Sequence, residues 1–141
     1  MKAHLFDASA IMQLAKSHPD KAPSTLEAGS MLDLTIYEVG NAIWKINKLI
    51  GKMDKPTALD AMEQTHYLTG LMEVLKVEGV EELTATMEIA FDGGLSFYDS
   101  AYLQVARRRG MTLVTEDERL LRRAREVGVN CIKVKDINPK P

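Results

Sequence analysis

Four acidic residues occupy positions from which their carboxylates could act together: Asp7, Glu38, Asp99 and Asp117. Asp7, Glu38 and Asp117 each lie within three residues after a predicted strand, at the start of a predicted helix. Because the carboxyl ends of parallel strands meet at one edge of a sheet, we expect these three side chains to share that edge. Asp99 also opens a helix, but the preceding segment FDGGL is not a convincing strand, so this reasoning does not place Asp99 with the others.

Each acid also has a simpler interpretation as a helix cap. The pairs Thr35 to Glu38, Ser96 to Asp99 and Thr115 to Glu118 all fit the S/T-x-x-D/E pattern of helix starts. Asp7 can cap the helix that follows it, which stabilises that helix by about 0.5 to 2 kcal/mol relative to alanine. Taken singly, each acid is more simply explained as a cap than as a catalytic group.

Taken together, the acids predict a bound cation. Two like charges about 4 Å apart at an effective dielectric of about 20 repel by roughly 4 kcal/mol, so four carboxylates on one rim call for positive charge. The three histidines and the single cysteine lack zinc-ligand spacing. An oxygen-only set favours Mg²⁺ or Mn²⁺, held through a few carboxylates and several waters. Such an ion can generate hydroxide and stabilise a displaced oxygen, which predicts phosphodiester hydrolysis.

The elements that must position these acids alternate along the chain. Strands are predicted at 2–6, 31–35, 111–115 and 129–134, with a weaker one at 75–80, and helices at 7–16, 36–50, 54–75, 81–91, 96–109 and 116–128; residues 17–25 are predicted as a loop. This alternation predicts an α/β fold whose parallel sheet carries helices on both faces. A length of 141 residues predicts one domain over residues 1–141.

Composition excludes several classes of protein. With 45% hydrophobic and 27% charged residues, the chain is neither collagen-like nor disordered, and one cysteine excludes a disulfide scaffold. No hydrophobic run exceeds three residues and MKAHLFD is unlike a secretory signal, so we expect no membrane span and a cytoplasmic location. Residues 101–141 carry ten basic against five acidic residues. This segment can contact phosphates, or Arg107, Arg108 and Arg109 can simply favour a helix C-terminus before Gly110.

The order of motifs resembles the PIN-domain family of nucleases. The segments FDAS, YEVGNAIWK, YDSAYLQVARRRG and LVTEDERL carry the resemblance, from about residue 2 to residue 135. The combination of D-x-S, E-x-x-N, D-x-x-Y-L-x-x-A and T-x-D is far more specific than any one of these motifs. Within the family, the length of the chain resembles that of the VapC-type toxins of prokaryotic toxin-antitoxin pairs.

The resemblance implies a three-layer α/β/α sandwich with a central, mostly parallel sheet. It also implies an acidic pocket that binds Mg²⁺ or Mn²⁺ and cleaves RNA through metal-activated water, leaving a 5′-phosphate and a 3′-hydroxyl. The four acids match the family's catalytic and metal-binding positions, and Ser9, Asn41 and Thr115 match its supporting polar positions. A homodimer and a cognate antitoxin, whose tail enters the acidic groove, are implied as partners. Glu116 and Glu118 flank Asp117, but the T-x-D spacing favours Asp117.

Two other functions stay open on the sequence. One is a housekeeping PIN nuclease that processes RNA, and the other is a non-catalytic binding module whose acids are helix caps. Trp44 and Tyr67 are predicted as core residues, with an oligomer or antitoxin interface as the alternative. Lys45, two turns after Glu38, is interpreted as a solvated side chain that could also approach a phosphate, and Cys131 as a packing thiol.

Overall fold

The computed structural model describes residues 3–137, and its centre is a five-stranded sheet. The strands are β1 (His4–Phe6), β2 (Ser30–Leu32), β3 (Glu73–Leu75), β4 (Thr112–Val114) and β5 (Cys131–Ile132). Their order is β3-β2-β1-β4-β5, and all four pairings are parallel. The predicted mostly parallel sheet is therefore confirmed.

Within residues 3–137, seven α-helices cover both faces of this sheet. They are α1 (Ala8–Ser17), α2 (Ala22–Glu27), α3 (Thr35–Lys45), α4 (Lys55–Thr69), α5 (Gly79–Gly93), α6 (Phe97–Arg109) and α7 (Glu118–Glu126). A π-helical turn, Ile46–Ile50, extends α3, and a 3-10 turn, Val134–Asp136, follows β5. The result is the three-layer α/β/α sandwich that the resemblance implied.

Neighbouring residues of each strand point into two different cores. Leu5 and Leu113 pack with residues of α5, α6 and α7, whereas Phe6 and Val114 pack with residues of α1 and α2. This follows from the two-residue period of a strand, which sends successive side chains to opposite faces. All four side chains are at most 1% exposed, and burying each stabilises the fold by about 1.5 to 3 kcal/mol.

Two predicted segments differ from the structure. The predicted loop at 17–25 contains the start of α2. Pro23 occupies the first turn of this helix, where its missing N–H costs nothing, and the burial of Ala22 and Leu26 holds the helix on the core. The helix predicted over 54–75 ends at Thr69, and β3 occupies Glu73–Leu75, ahead of the strand predicted at 75–80. Met72 and Leu75 therefore lie just before β3 and at its last residue, although their spacing is typical of a helix.

The aromatic residues predicted as core are on the surface. Trp44 is 50% exposed and Tyr67 is 67% exposed, so that prediction was wrong. The helix predicted over 36–50 is α-helical only to Lys45: Val39 and Ile43 are buried in α3, but Ile50 lies exposed in the π-helical turn. A π turn rotates the following residues away from the α-helical face, which explains the change.

The end of α6 fits the structural interpretation of the basic segment. The helix closes at Arg109, and Gly110 follows with a φ of 64°, a conformation that favours glycine. Arg107 donates to the Gln104 side chain, and the Arg108 guanidinium lies 2.8 Å from Glu82.

Across the described part of the chain, no helix has the length and apolar character that crossing a bilayer requires.

Candidate active site

The site lies where the sheet topology changes direction. From β1 the chain runs outward to β2 and β3, and later returns to β4 on the other side of β1. Ligands of parallel sheets bind at such a point, outside the carboxyl ends of the strands. Phe6 and Val114 are paired in register, and the Asp7 amide continues the pairing by donating to the Val114 carbonyl at 3.2 Å. Asp7 and Thr115, the next residues of the two strands, are thereby placed side by side.

Asp7 is buried and held by three donors. Its Oδ1 accepts hydrogen bonds from the Ser9 hydroxyl at 2.7 Å and from the Ala10 amide at 2.9 Å, and its Oδ2 accepts from the Thr115 hydroxyl. The side chain is 7% exposed. Burial raises the pKa of Asp7, the hydrogen bonds oppose that rise, and repulsion by Asp117 adds to it. The two small hydroxyl residues therefore act by fixing this carboxylate.

A chain of hydrogen bonds fixes Glu38 from the opposite wall of the site. The Tyr102 hydroxyl donates to Glu38 Oε1 at 2.5 Å and lies 2.7 Å from the Thr35 hydroxyl. Since Tyr102 gives its single proton to Glu38, Thr35 donates to Tyr102 and accepts from the Leu32 amide at 3.2 Å. Burial raises the pKa of Glu38, the Tyr102 bond lowers it, and repulsion by Asp99 and Asp7 raises it further.

Asp99 and Asp117 sit in the first turns of two further helices. Asp99 lies in the first turn of α6, where its amide donates to the Ser96 hydroxyl at 3.0 Å. Asp117 precedes α7, and its Oδ1 accepts from the amides of Arg119 and Leu120. Burial raises the pKa of Asp99, as does repulsion by Asp117, while the Ser96 hydrogen bond and the Arg119 charge lower it.

A single cavity of about 780 Å³ brings the four acids together. Its volume falls within the range of ligand clefts. Its polar and aromatic lining consists of Asp7, Ser9, Tyr37, Glu38, Asn41, Lys45, Tyr98, Asp99, Tyr102 and Asp117. The structure thus joins Asp99 to the other acids, although no strand precedes it. Thr115 lies fully buried behind Asp7 rather than in the lining.

Helix capping accounts for two of the four acids. Asp7 caps α1 and Asp117 caps α7 through their carboxylates. Glu38 caps no helix: residue Leu34 stands at the N-cap of α3 and makes no side-chain cap bond. The N-cap of α6 is Ser96, so Asp99 does not occupy that position either. The predicted S/T-x-x-D/E caps led by Thr35 and Thr115 are wrong, because both hydroxyls are committed to the site.

The donor set fits a hard divalent ion. Among the described residues that line the cavity, Lys45 is the single basic side chain, and with Arg119, which acts on Asp99, it offsets only part of the charge of the four acids. Within residues 3–137, no three Asp, Glu, His or Cys side chains converge on one point closely enough to hold an ion between them. Mg²⁺ commonly binds through one or two carboxylates and retains several waters, so carboxylates spread around a cleft suit that ion.

Other residues singled out in the sequence stay outside this chemistry. His4 lies in β1, and burial lowers its pKa, which favours the neutral ring. Cys131 is half-buried in β5, and burial raises its pKa to about 12, so the thiol is not activated. Tyr102, by contrast, is a residue of the site that was not predicted as a functional residue from the sequence. The D-x-x-Y spacing was its available signal, because it places Tyr102 one turn after Asp99.

Comparison with known proteins decides the family. The family model of the PIN domain matches residues 5–126. The chain belongs to the PIN domain family. The predicted resemblance is thereby confirmed over most of the chain, and the parallel sheet with flanking helices is that of a PIN domain.

Relatives of this PIN domain occur in the archaeon Pyrobaculum aerophilum. Exonuclease VapC9 of that organism is 39% identical over 118 residues, covering 84% of this chain and 83% of the relative. Ribonuclease VapC3 of the same organism is 32% identical over 120 residues, covering 81% of this chain and 88% of the relative. A crystal structure of a Pyrobaculum aerophilum protein superposes with a TM-score of 0.77 at 35% identity, covering 94% of this chain and 91% of that one.

Proposed function

We propose that this PIN domain is a metal-dependent endoribonuclease that cleaves RNA phosphodiesters. The observation that carries the proposal is the convergence of Asp7, Glu38, Asp99 and Asp117 on one cavity, where three of them have raised pKa values. Perturbed carboxylates in a cleft are typical of functional sites. The names of the two curated relatives, an exonuclease and a ribonuclease, support nuclease chemistry for this chain.

The carboxylates of Asp7 and Asp99 would hold Mg²⁺ or Mn²⁺, with Glu38 and Asp117 completing the site directly or through water. When bound, the ion supplies a nucleophilic hydroxide and charge stabilisation at the phosphate. The chain's own contribution is to position and orient the four carboxylates. Ser9 and Thr115 orient Asp7, Tyr102 orients Glu38, and the exposed Asn41 stands one helical turn after Glu38 at the mouth of the cavity.

Metal binding is tested first by titrating the purified chain with Mn²⁺ and following electron paramagnetic resonance. We expect saturable binding that is lost or strongly weakened in Asp99→Asn. Asn41→Ala provides a matched control, since it changes a cavity residue without removing a carboxylate. Equal binding by wild type and Asp99→Asn contradicts the proposed metal site. Absence of binding at millimolar Mn²⁺ favours the alternative of a non-catalytic binding module.

The endonuclease mode is tested with circular single-stranded RNA, which has no ends. Cleavage of the circle in Mg²⁺ or Mn²⁺, with 5′-phosphate products, is the expected result. Degradation of linear RNA with intact circles shows an exonuclease instead, the activity named for VapC9. Asp7→Asn should abolish cleavage while circular dichroism remains unchanged. Full activity in both Asp7→Asn and Asp99→Asn refutes the mechanism.

We further propose that the chain is the toxin of a toxin-antitoxin pair and forms a homodimer. The VapC-type resemblance of its sequence supports this role, as does the VapC name of both curated relatives. Exposed apolar side chains of α3, its π turn and α4 offer a surface for partners: Trp44, Leu49, Ile50, Leu59 and Tyr67. Light scattering of the purified chain tests for the homodimer. Co-expression with the product of an adjacent small reading frame should inhibit cleavage, whereas a housekeeping nuclease remains active.

A further inference from the structure

Two tyrosines at the cavity are left exposed by the fold. Tyr37 is 79% exposed and directly precedes Glu38; Tyr98 is 63% exposed and directly precedes Asp99. Both line the acidic cavity. Aromatic side chains normally bury most of their area in a core or an interface. Tyr37 and Tyr98 remain accessible at one cavity, each next to an acid of the site in the sequence. Their ring surfaces are therefore available to a ligand.

Comparison with Tyr102 shows that packing does not explain these two residues. Tyr102 lies one turn after Tyr98 on α6, is 1% exposed, and commits its hydroxyl to Glu38 and Thr35. Within residues 3–137, neither Tyr37 nor Tyr98 has a hydrogen bond from its hydroxyl. Tyr102 is thus buried and bonded to Glu38, whereas Tyr98, one turn before it on α6, is exposed and makes no hydrogen bond through its hydroxyl within the described residues.

We propose that Tyr37 and Tyr98 are a base-stacking pair, which binds unpaired nucleobases next to the phosphate that is cut. This inference rests on the proposed ribonuclease function and assigns two residues to the bases of an RNA that is single-stranded at the cut. Aromatic rings bind splayed bases by stacking, whereas the bases of a duplex are covered by their own neighbours. Lys45, on the wall of the same cavity, suits a backbone phosphate of the same strand.

The test is steady-state cleavage of a pool of random single-stranded RNA, about 12 nucleotides long, in Mn²⁺. Tyr37→Leu and Tyr98→Leu should each raise KM by roughly 5- to 150-fold, the range expected for one lost stacking contact, with kcat nearly unchanged. Tyr37→Phe and Tyr98→Phe keep the ring and should retain the wild-type KM. Phe91→Leu is the matched control, because Phe91 is 81% exposed on α5 and lies outside the cavity lining.

A second measurement asks whether the rings contact bases. Sequencing the cut ends identifies the favoured site, and the nucleotides on each side of the cut are then replaced by abasic ones. Wild type should lose as much affinity on abasic RNA as the leucine variants lose on normal RNA. The two changes should not add, because both remove the same contact. Additive losses overturn the stacking pair.

The remaining outcomes separate this inference from the function on which it rests. Cleavage with unchanged KM in both leucine variants overturns the stacking pair and leaves the ribonuclease intact. A fall in kcat at constant KM also overturns it, since the rings would then act on the reaction rather than on binding. Equal cleavage of the RNA pool after annealing to its complement overturns the single-stranded substrate. A wild-type protein that cleaves no RNA in Mg²⁺ or Mn²⁺ overturns both proposals.

Discussion

Removing the Tyr102 hydroxyl should destabilise the metal-free protein. In Tyr102→Phe the ring still fills its fully buried place, so no cavity forms and the change isolates the hydroxyl. Two hydrogen bonds disappear: the one donated to the Glu38 carboxylate and the one accepted from Thr35. A bond to a charged group contributes about 1.5 to 3 kcal/mol and a neutral one about 0.5 to 1.5 kcal/mol. The free energy of unfolding should therefore fall by about 2 to 4.5 kcal/mol.

The assay is urea denaturation at pH 7 with EDTA, comparing midpoints at constant slope. Tyr67→Phe is the control, since its exposed hydroxyl should contribute nothing measurable. The same substitution should also raise the pKa of Glu38, because the Tyr102 bond lowers it. Mn²⁺ binding by Tyr102→Phe should consequently weaken more at pH 6 than at pH 8. Unchanged unfolding free energy in Tyr102→Phe would refute the hydrogen-bonded chain as a stabilising element.

Three further outcomes are expected. The pKa values of Asp7, Glu38 and Asp99 are raised by folding, so the folded state holds more protons than the unfolded state. The unfolding free energy in EDTA should therefore fall as pH rises from about 4 through the raised pKa values, and saturating Mn²⁺ should flatten this dependence. A metal-free unfolding free energy that rises over the same pH range contradicts the predicted sign. Asp99→Asn should leave the metal-free protein at pH 7 as stable as wild type or more stable, because it removes repulsion, whereas a clear fall in melting temperature would indicate a structural cap. Gly93→Ala should lower the free energy of unfolding in urea by about 1 to 3 kcal/mol, because its Cβ would lie 2.2 Å from Nε of Arg123, a side chain that is 13% exposed and held by hydrogen bonds to Ile89 and Glu126. Gly40→Ala meets nothing closer than 3.7 Å and should stabilise helix α3 by up to about 1 kcal/mol, so equal effects of the two changes would contradict the packing argument.

Strand-end position was enough to predict much of the site. Asp7 follows β1 directly and Asp117 comes three residues after the end of β4, and adjacent parallel strands bring such residues together. Asp99 was different, because it follows a turn between two helices and its place depends on how α6 packs. That packing is a tertiary property, and in the sequence only the motif resemblance pointed to it.

The errors in the predicted fold have local causes. A helical apolar spacing continued through Met72 and Leu75, yet three-residue strands are too short to show a period of their own. The hydroxyls of Thr35 and Thr115 matched a capping pattern, but each found a more distant partner in Tyr102 and Asp7. Long-range hydrogen bonds of this kind leave no sign in local sequence, so the supporting contacts of the site emerged from the structure.

The separation of Asp7 from Thr115 has a consequence for synthesis. These two residues are 108 positions apart, yet one hydrogen bond joins them at the centre of the site. A ribosome adds about 5 to 20 residues per second, so roughly 5 to 20 s pass between the appearance of the first acid and that of its partner. Throughout this interval the growing chain lacks β4 and Asp117. Until Asp117 has been added, the nascent chain therefore lacks part of the proposed catalytic site and cannot use it on the message that encodes it.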